Sequence, residues 1–267
     1  MKVILFCGGM GMRLRDYSEI IPKPLVTIGR IPILLHIIKY YSYFGINDFI
    51  LCLGYKADGI KKFFLNPDEY LSYNFRMGGG YKKDILNNDV VKWNISFIDT
   101  GLHANIGQRL KAVEEHLAGE EVFMANYSDV LTDLPLLDFL DFFKVHGSIA
   151  GFLGVRPYHT FHVVNIENGG LVNKIQDARK ANIWINGGYF IFRKEIFHYI
   201  KDGEELVDQP FQRLIGEKQL ISYQYNGFWG CMDTFKDKQQ LEELYNSGQS
   251  PWEVWKTASL LKHVHSY

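Results

Sequence analysis

The chain has 267 residues, of which 47% are hydrophobic, and a formal net charge of -1. This size can bury one large core, and the balanced charge gives no reason to expect nucleic acid or an anionic membrane as a partner. The three cysteines lack the spacing of a metal motif and no apolar run reaches the length of a membrane span, so we expect a cytoplasmic protein with reduced thiols.

Strand-like apolar runs alternate with helix-like periodicity through the first half of the chain. The predicted strands lie near 2–7, 48–53, 93–98 and 121–126. Apolar residues at spacings of three and four predict helices near 33–44, 108–117 and 136–145. This alternation is typical of a parallel sheet covered on both faces. Residues 66–92 lack a clear period, and we predict a surface excursion that closes on a ligand or packs on a neighbouring subunit.

The second half has a more antiparallel pattern. Short apolar runs occur at 149–155, 161–166, 171–176 and 188–192. Asn168-Gly169-Gly170 predicts a turn between two of them, and a helix near 211–215, a strand near 220–225 and a helix from Thr234 complete the order. The predicted fold class is α/β, with a Rossmann-like mixed central sheet flanked by helices in one domain over residues 1–267.

A glycine-rich turn follows the first predicted strand. It has the sequence Gly8-Gly9-Met10-Gly11-Met12-Arg13, and Pro22-Lys23-Pro24 follows nine residues later. Glycines let backbone N–H groups approach phosphate oxygens closely, and Arg13 and Lys23 add the permanent positive charge that a leaving pyrophosphate needs. A plain tight turn is the alternative for the glycines alone, and the lysine between two prolines favours a triphosphate site.

Two aspartates are candidate metal ligands. Asp129 follows the apolar run 122–125 at the carboxyl end of a predicted strand, where ligands bind in open α/β sheets. Asp233 precedes the last predicted helix, where a carboxylate has the alternative role of a helix cap. Hard carboxylate oxygens suit Mg²⁺, which takes one or two of them together with water and phosphate oxygens.

Further segments in a fixed order give the chain a family resemblance. They are Ile33-Leu34-Leu35-His36-Ile37, Gly45-Ile46-Asn47-Asp48-Phe49, Gly54-Tyr55-Lys56, Asp99-Thr100-Gly101, Arg109-Leu110-Lys111, Ile185-Asn186-Gly187-Gly188-Tyr189-Phe190, Gly227-Phe228-Trp229 and Met232-Asp233-Thr234. With the glycine-rich turn and the Pro-Lys-Pro segment, this order resembles the sugar-1-phosphate nucleotidyltransferases, and most nearly the glucose-1-phosphate cytidylyltransferases. The resemblance covers nearly the whole chain up to Trp255.

The resemblance implies a fold of the nucleotide-diphospho-sugar transferase type, with a nucleotide-binding half over about 1–130 and an acceptor-binding half over about 131–255. It implies Mg²⁺-dependent transfer from a nucleoside triphosphate, CTP above others, to a phosphorylated small molecule such as glucose 1-phosphate. The products are a nucleotide-sugar and pyrophosphate. We also expect a homo-oligomer.

The resemblance also assigns individual roles. The nucleotide-binding residues are Gly8, Gly9, Gly11, Thr100 and Arg109. The catalytic residues are Arg13, Lys23 and Asp129, and the metal ligands are Asp129 and Asp233. Asn186 and Gly187 contact the sugar hydroxyls. Two alternatives stay open, namely a solvated helix face for Arg109 and a β-bulge at the paired glycines after Asn186.

The chain departs from the family pattern mainly on the acceptor side. Met12 replaces a threonine, Ser128-Asp129-Val130 replaces Gly-Asp-Gly, and Thr160-Phe161-His162 replaces Arg-Phe-Gly. Asp177-Ala178-Arg179 replaces Glu-Lys-Pro, and the candidates to bind the acceptor phosphate in place of the missing lysine are Arg179 and Lys180, although arginine is a planar fork and lysine a point charge. Alternatives are another phosphorylated or phosphonylated acceptor, or a catalytically weak regulatory paralogue that binds nucleotide.

Overall fold

The structure is a computed structural model that describes residues 1–14, 20–65, 93–158 and 161–256. The predicted surface excursion at 66–92 and Thr160 lie outside these ranges. The strands are β1 (Lys2–Phe6), β2 (Thr27–Ile28), β3 (Ile31–Pro32), β4 (Asp48–Leu53), β5 (Asn94–Asp99), β6 (Val122–Asn126), β7 (Val130–Thr132), β8 (Ala150–Val155), β9 (His162–Ile166), β10 (Val172–Asp177), β11 (Ile185–Arg193), β12 (Leu220–Tyr225) and β13 (Trp229–Cys231).

Six α-helices connect or cover these strands in the described residues. They are α1 (Ile33–Tyr43), α2 (Ala57–Leu65), α3 (Ile106–Ala112), α4 (Leu136–His146), α5 (Gln209–Gly216) and α6 (Phe235–Asn246). Short 3-10 turns occur at Met12–Leu14, Lys23–Leu25, Glu114–Leu117, Ala178–Lys180 and Lys194–Tyr199. The predicted strands and most predicted helices are present with small shifts at their ends, while α2 and the two- and three-residue strands were not predicted. The helix predicted near 108–117 is divided into α3, which ends at Ala112, and the 3-10 turn at Glu114–Leu117. None of the helices in the described ranges is long and apolar enough to cross a membrane.

A seven-stranded sheet has the order β12-β8-β11-β6-β1-β4-β5. Strand β11 is antiparallel to both of its neighbours, and every other adjacent pair is parallel. The prediction of a mixed central sheet with flanking helices is therefore confirmed. The expected antiparallel character of the second half is confirmed for β9 with β10 and for β8 with β11, but it is wrong for the pair of β8 and β12, which is parallel. Strand β12 follows β11 through α5 and lies on the far side of β8 from it. Both β8 and β12 run opposite to β11, so they pair with each other in parallel.

Both faces of this sheet are covered at β1, one of its inner strands, as the alternation of its side chains shows. Val3 and Leu5 of β1 pack in one apolar cluster with α1 and α4, whereas Ile4 and Phe6 pack in a second cluster with α3 and α5. Since successive strand residues point to opposite faces, a fully apolar strand requires cover on both sides. The six parallel strands end at one edge of the sheet, where the loops that carry the predicted site residues meet.

Candidate active site

A cleft of about 570 Å³ lies at the carboxyl edge of the sheet. Its walls come from the glycine-rich turn after β1, the Lys23–Leu25 turn, the start of α3, the segment after β6, and Asp233. This volume lies within the range of small-molecule sites. Seven of the predicted site residues line the cleft directly. They are Gly9, Gly11, Arg13, Lys23, Arg109, Asp129 and Asp233.

The glycine-rich turn has one glycine packed against the protein and another beside open space. A Cβ at Gly8 would collide with the guanidinium of Arg109, whereas a Cβ at Gly9 would meet nothing within 4 Å. Gly11 has a φ of +62°, in the left-handed region that favours glycine, and its carbonyl accepts a hydrogen bond from Leu14 N–H at 2.9 Å. The turn therefore offers bare backbone to a ligand in the cleft.

Lys23 is placed by the two prolines around it. Pro22 precedes a 3-10 turn over Lys23–Leu25, and Pro24 and Leu25 are buried beneath it. The Lys23 Nζ atom lies 2.6 Å from Asp129 Oδ2 and 3.0 Å from Asp233 Oδ1. The exposed guanidinium of Arg13 also forms an ion pair with Asp233. Residues separated by more than a hundred positions thus form one charge cluster.

A short antiparallel ladder brings the two aspartates together. Strand β7 begins one residue after Asp129, and β13 ends two residues before Asp233. The strands pair with Cys231 opposite Val130, and Met232 N–H donates to the Asp129 carbonyl at 2.8 Å. The capping alternative for Asp233 is wrong, because the N-cap of α6 is Thr234. The Asp233 side chain instead contacts Arg13 and Lys23.

Ser128 adopts the backbone conformation that a glycine in the family pattern would favour. Its φ is +62°, and its side chain is buried. The Ser128 hydroxyl donates to the Phe6 carbonyl at 2.7 Å, and its N–H donates to Asn126 Oδ1 at 2.7 Å. These contacts offset the cost of a left-handed residue other than glycine. They tie the Asp129 loop to the end of β1.

Burial and the neighbouring charges shift the pKa values of Asp129 and Lys23. Burial raises the pKa of Asp129 above its ordinary value, while the nearby Lys23 opposes that change. Burial also lowers the pKa of Lys23, but Asp129 and then Asp233 raise it by more, so the ammonium group stays charged. The Asp129 carboxylate therefore depends on a nearby cation to remain ionised at low cost.

This donor set fits a magnesium ion. Both carboxylates are partly exposed to the cleft, and Lys23 shows that a positive charge is favourable between them. Among the described residues, no group of three or more His, Cys, Asp or Glu side chains forms a closed metal cage. Mg²⁺ needs no such cage, since it commonly takes one or two carboxylates and completes its coordination with water and phosphate oxygens.

Arg109 is buried, so the solvated-face alternative is wrong. Only 3% of its surface is exposed, and its guanidinium donates to the carbonyls of Gly8, Leu53, Gly101 and Leu102. It also donates to the Thr100 hydroxyl at 2.7 Å, and that hydroxyl in turn donates to the Leu53 carbonyl. Arg109 thus clamps the loops after β1, β4 and β5, and the hydroxyl proton of Thr100 is already used.

The predicted sugar contacts lie at a β-bulge beside the cleft. The register of β11 against β8 shifts between Asn186 and Phe190, and Gly188 has a φ of +74°. Asn186 accepts from Gly188 N–H and donates to the Tyr127 hydroxyl at 3.2 Å. Asn186 lines a second pocket of about 340 Å³ with aromatic walls, while the Gly187 carbonyl accepts from Trp229 Nε1. Tyr127, whose hydroxyl accepts from Asn186, lines the cleft.

The two predicted acceptor cations do not line either pocket. Arg179 and Lys180 lie on the 3-10 turn Ala178–Lys180, where Ala178 is buried and both cations are exposed. The guanidinium of Arg179 forms a bidentate ion pair with Asp177, which lowers the pKa of that carboxyl. No carboxylate in the described part of the chain pairs with Lys180.

Sequence reasoning missed several residues that shape the cleft. Tyr127 and Glu205 line it, and Glu205 also accepts from the Ile106 N–H at the start of α3. Asp237, which is buried, accepts from the backbone N–H groups of Asp233 and Thr234. A local signal existed only for Asp237, because threonine followed three residues later by a carboxylate indicates a capping box.

Comparisons with known proteins agree with this geometry. The profile of the nucleotidyl transferase family matches residues 2–234. The chain is 36% identical over 258 residues to the glucose-1-phosphate cytidylyltransferase of Salmonella typhi, covering 96% of this chain and 100% of that protein. It is 32% identical to the probable glucose-1-phosphate cytidylyltransferase of Bacillus subtilis (strain 168), with the same coverage of 96% and 100%.

Solved structures support the fold. A putative glucose-1-phosphate thymidylyltransferase from Bacillus anthracis matches with a TM-score of 0.63 at 19% identity, over 91% of this chain and 94% of that one. A UDP-glucose pyrophosphorylase complexed with UDP-glucose matches with a TM-score of 0.67 at 15% identity, over 92% and 98%. The predicted nucleotide-diphospho-sugar transferase fold is therefore confirmed.

Proposed function

The chain belongs to the nucleotidyl transferase family, and on that premise we propose that it transfers a cytidylyl group from CTP to a sugar 1-phosphate such as glucose 1-phosphate. The observation that carries the proposal is the contact of Lys23 with both Asp129 and Asp233 beside an open glycine-rich turn. The names of the relatives at 36% and 32% identity support the choice of CTP and of the acceptor.

The reaction needs positioning and charge stabilisation more than proton transfer. A phosphate oxygen of the acceptor attacks the α-phosphorus of CTP, and the bond from that phosphorus to the bridging oxygen of pyrophosphate breaks. The bonding electron pair leaves with pyrophosphate. The acceptor phosphate is already ionised at neutral pH, so no general base is required. Arg13 and Lys23 stabilise the negative charge that builds up on the transferring and leaving groups.

Asp129 and Asp233 hold Mg²⁺ in this proposal. When bound, the ion neutralises charge on the phosphates of the nucleotide. The ammonium group of Lys23, which contacts both carboxylates, lies in the same cleft and would be within reach of the phosphate oxygens of a bound nucleotide.

The nucleotide lies along the loops that Arg109 holds together. In this proposal the turn with Gly8, Gly9 and Gly11 supplies backbone N–H groups to the phosphates, and the loop that carries Thr100 lies toward the base. Arg109 acts mainly by fixing these loops, because its donors already bind carbonyl oxygens. Asn186 and Gly187 belong to the acceptor side, where Tyr127 links them to the cleft.

A different phosphorylated or phosphonylated acceptor is the second candidate. It is favoured by Ala178, which is buried at the position where the family pattern has a lysine. A buried methyl group offers no charge to a phosphate, so the acceptor group has to be recognised by other residues. The nucleotide side of the site is the same for both candidates.

The test is a matrix of CTP, UTP, dTTP, ATP and GTP against phosphorylated sugars and other phosphorylated or phosphonylated acceptors, with pyrophosphate release as the readout. We expect turnover with CTP and glucose 1-phosphate. We also expect CTP with Mg²⁺ to raise the melting temperature more than UTP does at equal concentration, through preferential binding to the native state. Turnover with CTP and only a different acceptor would select the second candidate. Absence of turnover with every triphosphate would refute both.

A further inference from the structure

The Asp233 backbone is held by a chain of hydrogen bonds that starts outside its own loop. Asp237 Oδ2 accepts from Thr234 N–H at 2.8 Å and from Asp233 N–H at 3.2 Å. The other oxygen, Asp237 Oδ1, accepts from the Tyr158 hydroxyl at 2.8 Å. Tyr158 also lies 3.2 Å from the Cys231 carbonyl, two residues before Asp233. The Tyr158 hydroxyl therefore contacts the chain before Asp233, at the Cys231 carbonyl, and after it, at the Asp237 carboxylate.

Burial makes these contacts matter for the position of Asp233. Asp237 is 2% exposed, so water does not readily replace a lost donor to its carboxylate. Burial first, and then the bond to Asp237, raise the pKa of the Tyr158 hydroxyl, so it remains a proton donor at neutral pH. The Tyr158 ring packs against Trp229, with 5.5 Å between ring centroids, which fixes the direction of the hydroxyl.

Tyr158 comes from the acceptor side of the molecule. It follows β8 by three residues, and Trp229, against which it packs, donates to the carbonyl of Gly187 in the bulge of β11. The path from the acceptor bulge to the Asp233 backbone therefore runs through Trp229, Tyr158 and Asp237.

We propose that Tyr158 is a positioning residue for the metal site, which acts by holding the Asp237 carboxylate and so fixing the backbone from which Asp233 projects. The inference rests on the proposed role of Asp233 as a metal ligand. Residues that orient metal ligands through hydrogen bonds, without binding the metal themselves, commonly contribute about tenfold or more to metal affinity. Tyr158 thereby sets the affinity of the site for the ion without touching the ion or the nucleotide.

The test compares Tyr158→Phe with the wild type by titration of Mn²⁺ into the protein without nucleotide, with the electron paramagnetic resonance signal of free Mn²⁺ as the readout. We expect the variant to raise the Mn²⁺ dissociation constant about tenfold. CTP binding without metal should stay within about twofold of the wild type, and excess Mg²⁺ should restore most of kcat.

Tyr225→Phe is the matched control. The Tyr225 hydroxyl also donates to a carboxylate, that of Asp133, which in turn accepts from the Phe228 N–H. Asp133 does not line the cleft. An equal Mn²⁺ affinity in the wild type and Tyr158→Phe, or an equal loss in the two tyrosine variants, would overturn the inference. If Tyr158→Phe does not fold, Asp237→Asn makes the same test, and unchanged Mn²⁺ affinity there has the same meaning.

Asp233→Asn separates this inference from the function on which it rests. A strong loss of Mn²⁺ affinity in Asp233→Asn together with no loss in Tyr158→Phe would refute only the positioning role. Unchanged affinity in Asp233→Asn would refute Asp233 as a metal ligand, and with it both the proposed metal site and the role of Tyr158.

Discussion

The nucleotide and metal region and the acceptor region of the molecule are built in different ways. In the first, Lys23, Asp129 and Asp233 come from distant parts of the chain and meet within hydrogen-bond distance. In the second, Arg179 and Lys180 share one short turn and line neither pocket, and the charge of Arg179 is paired with its neighbour Asp177. Residues that converge from separate elements indicate a selected site more strongly than charges that are adjacent in sequence.

The difference follows from what holds each region in place. The aspartates are fixed by the ladder between β7 and β13, and the loops around the nucleotide side are fixed by the buried guanidinium of Arg109. On the acceptor side, β9 and β10 form a separate two-stranded ribbon that carries the Ala178–Lys180 turn at its end. A two-stranded ribbon outside the main sheet supports the side chains at its end less firmly than the packed loops support the nucleotide side.

The largest expected effect is the loss of activity in Asp129→Asn. The substitution removes one negative charge from the proposed metal site, so we expect kcat/KM to fall by about two orders of magnitude or more while the fold is retained. Steady-state kinetics by pyrophosphate release and circular dichroism measure the two quantities. Asp138→Asn, at an exposed position in the first turn of α4, is the control and should leave the rate unchanged. A normal rate in Asp129→Asn would exclude Asp129 from the mechanism.

The next effect is expected in Lys23→Ala. Because charge builds up in the transition state, kcat should fall by about a hundredfold, which is more than the rise in KM for CTP. Lys62→Ala, on the exposed face of α2, is the matched loss of a lysine elsewhere. If only KM changed in Lys23→Ala, the lysine would be a substrate-binding residue, and the charge cluster would lose its catalytic interpretation.

Arg109→Lys tests whether the nucleotide side is held together as the structure indicates. An ammonium group cannot reach all the carbonyls that the guanidinium binds, and buried carbonyls without donors are costly, so we expect a loss of about 2 kcal/mol in the free energy of unfolding. Urea unfolding without ligand measures this loss. Arg193→Lys is the control, since the Arg193 guanidinium donates to one carbonyl within the described ranges, that of Ser148, and the substitution should cost less. Equal costs would contradict the clamp.

The sequence was sufficient where the signals are local. An apolar run followed by glycines predicts β1 and its turn, and prolines around Lys23 predict a constrained lysine. The β7 and β13 ladder was missed because strands of three residues show no periodicity. The parallel pairing of β12 with β8 depends on which strand β12 lies beside in the sheet. The burial of Arg109 depends on carbonyls from three loops. Neither the strand pairing nor the burial can be derived from local patterns.

The smallest predicted effect concerns the acceptor cations, and it would show whether the acceptor region contributes charge at all. Arg179 is already paired with Asp177, whereas no carboxylate among the described residues pairs with Lys180. We therefore expect Lys180→Ala to raise the acceptor KM about tenfold, as for a lost charge-assisted contact, and Arg179→Ala to raise it less than about threefold. Steady-state kinetics at saturating CTP measures both, and KM for CTP serves as the internal control because neither cation lies in the cleft. If the acceptor KM were unchanged in both variants, neither cation would bind the acceptor phosphate, and we would assign that phosphate to Arg13 and Lys23. A single charge cluster would then serve both substrates, and the acceptor region would contribute no charge.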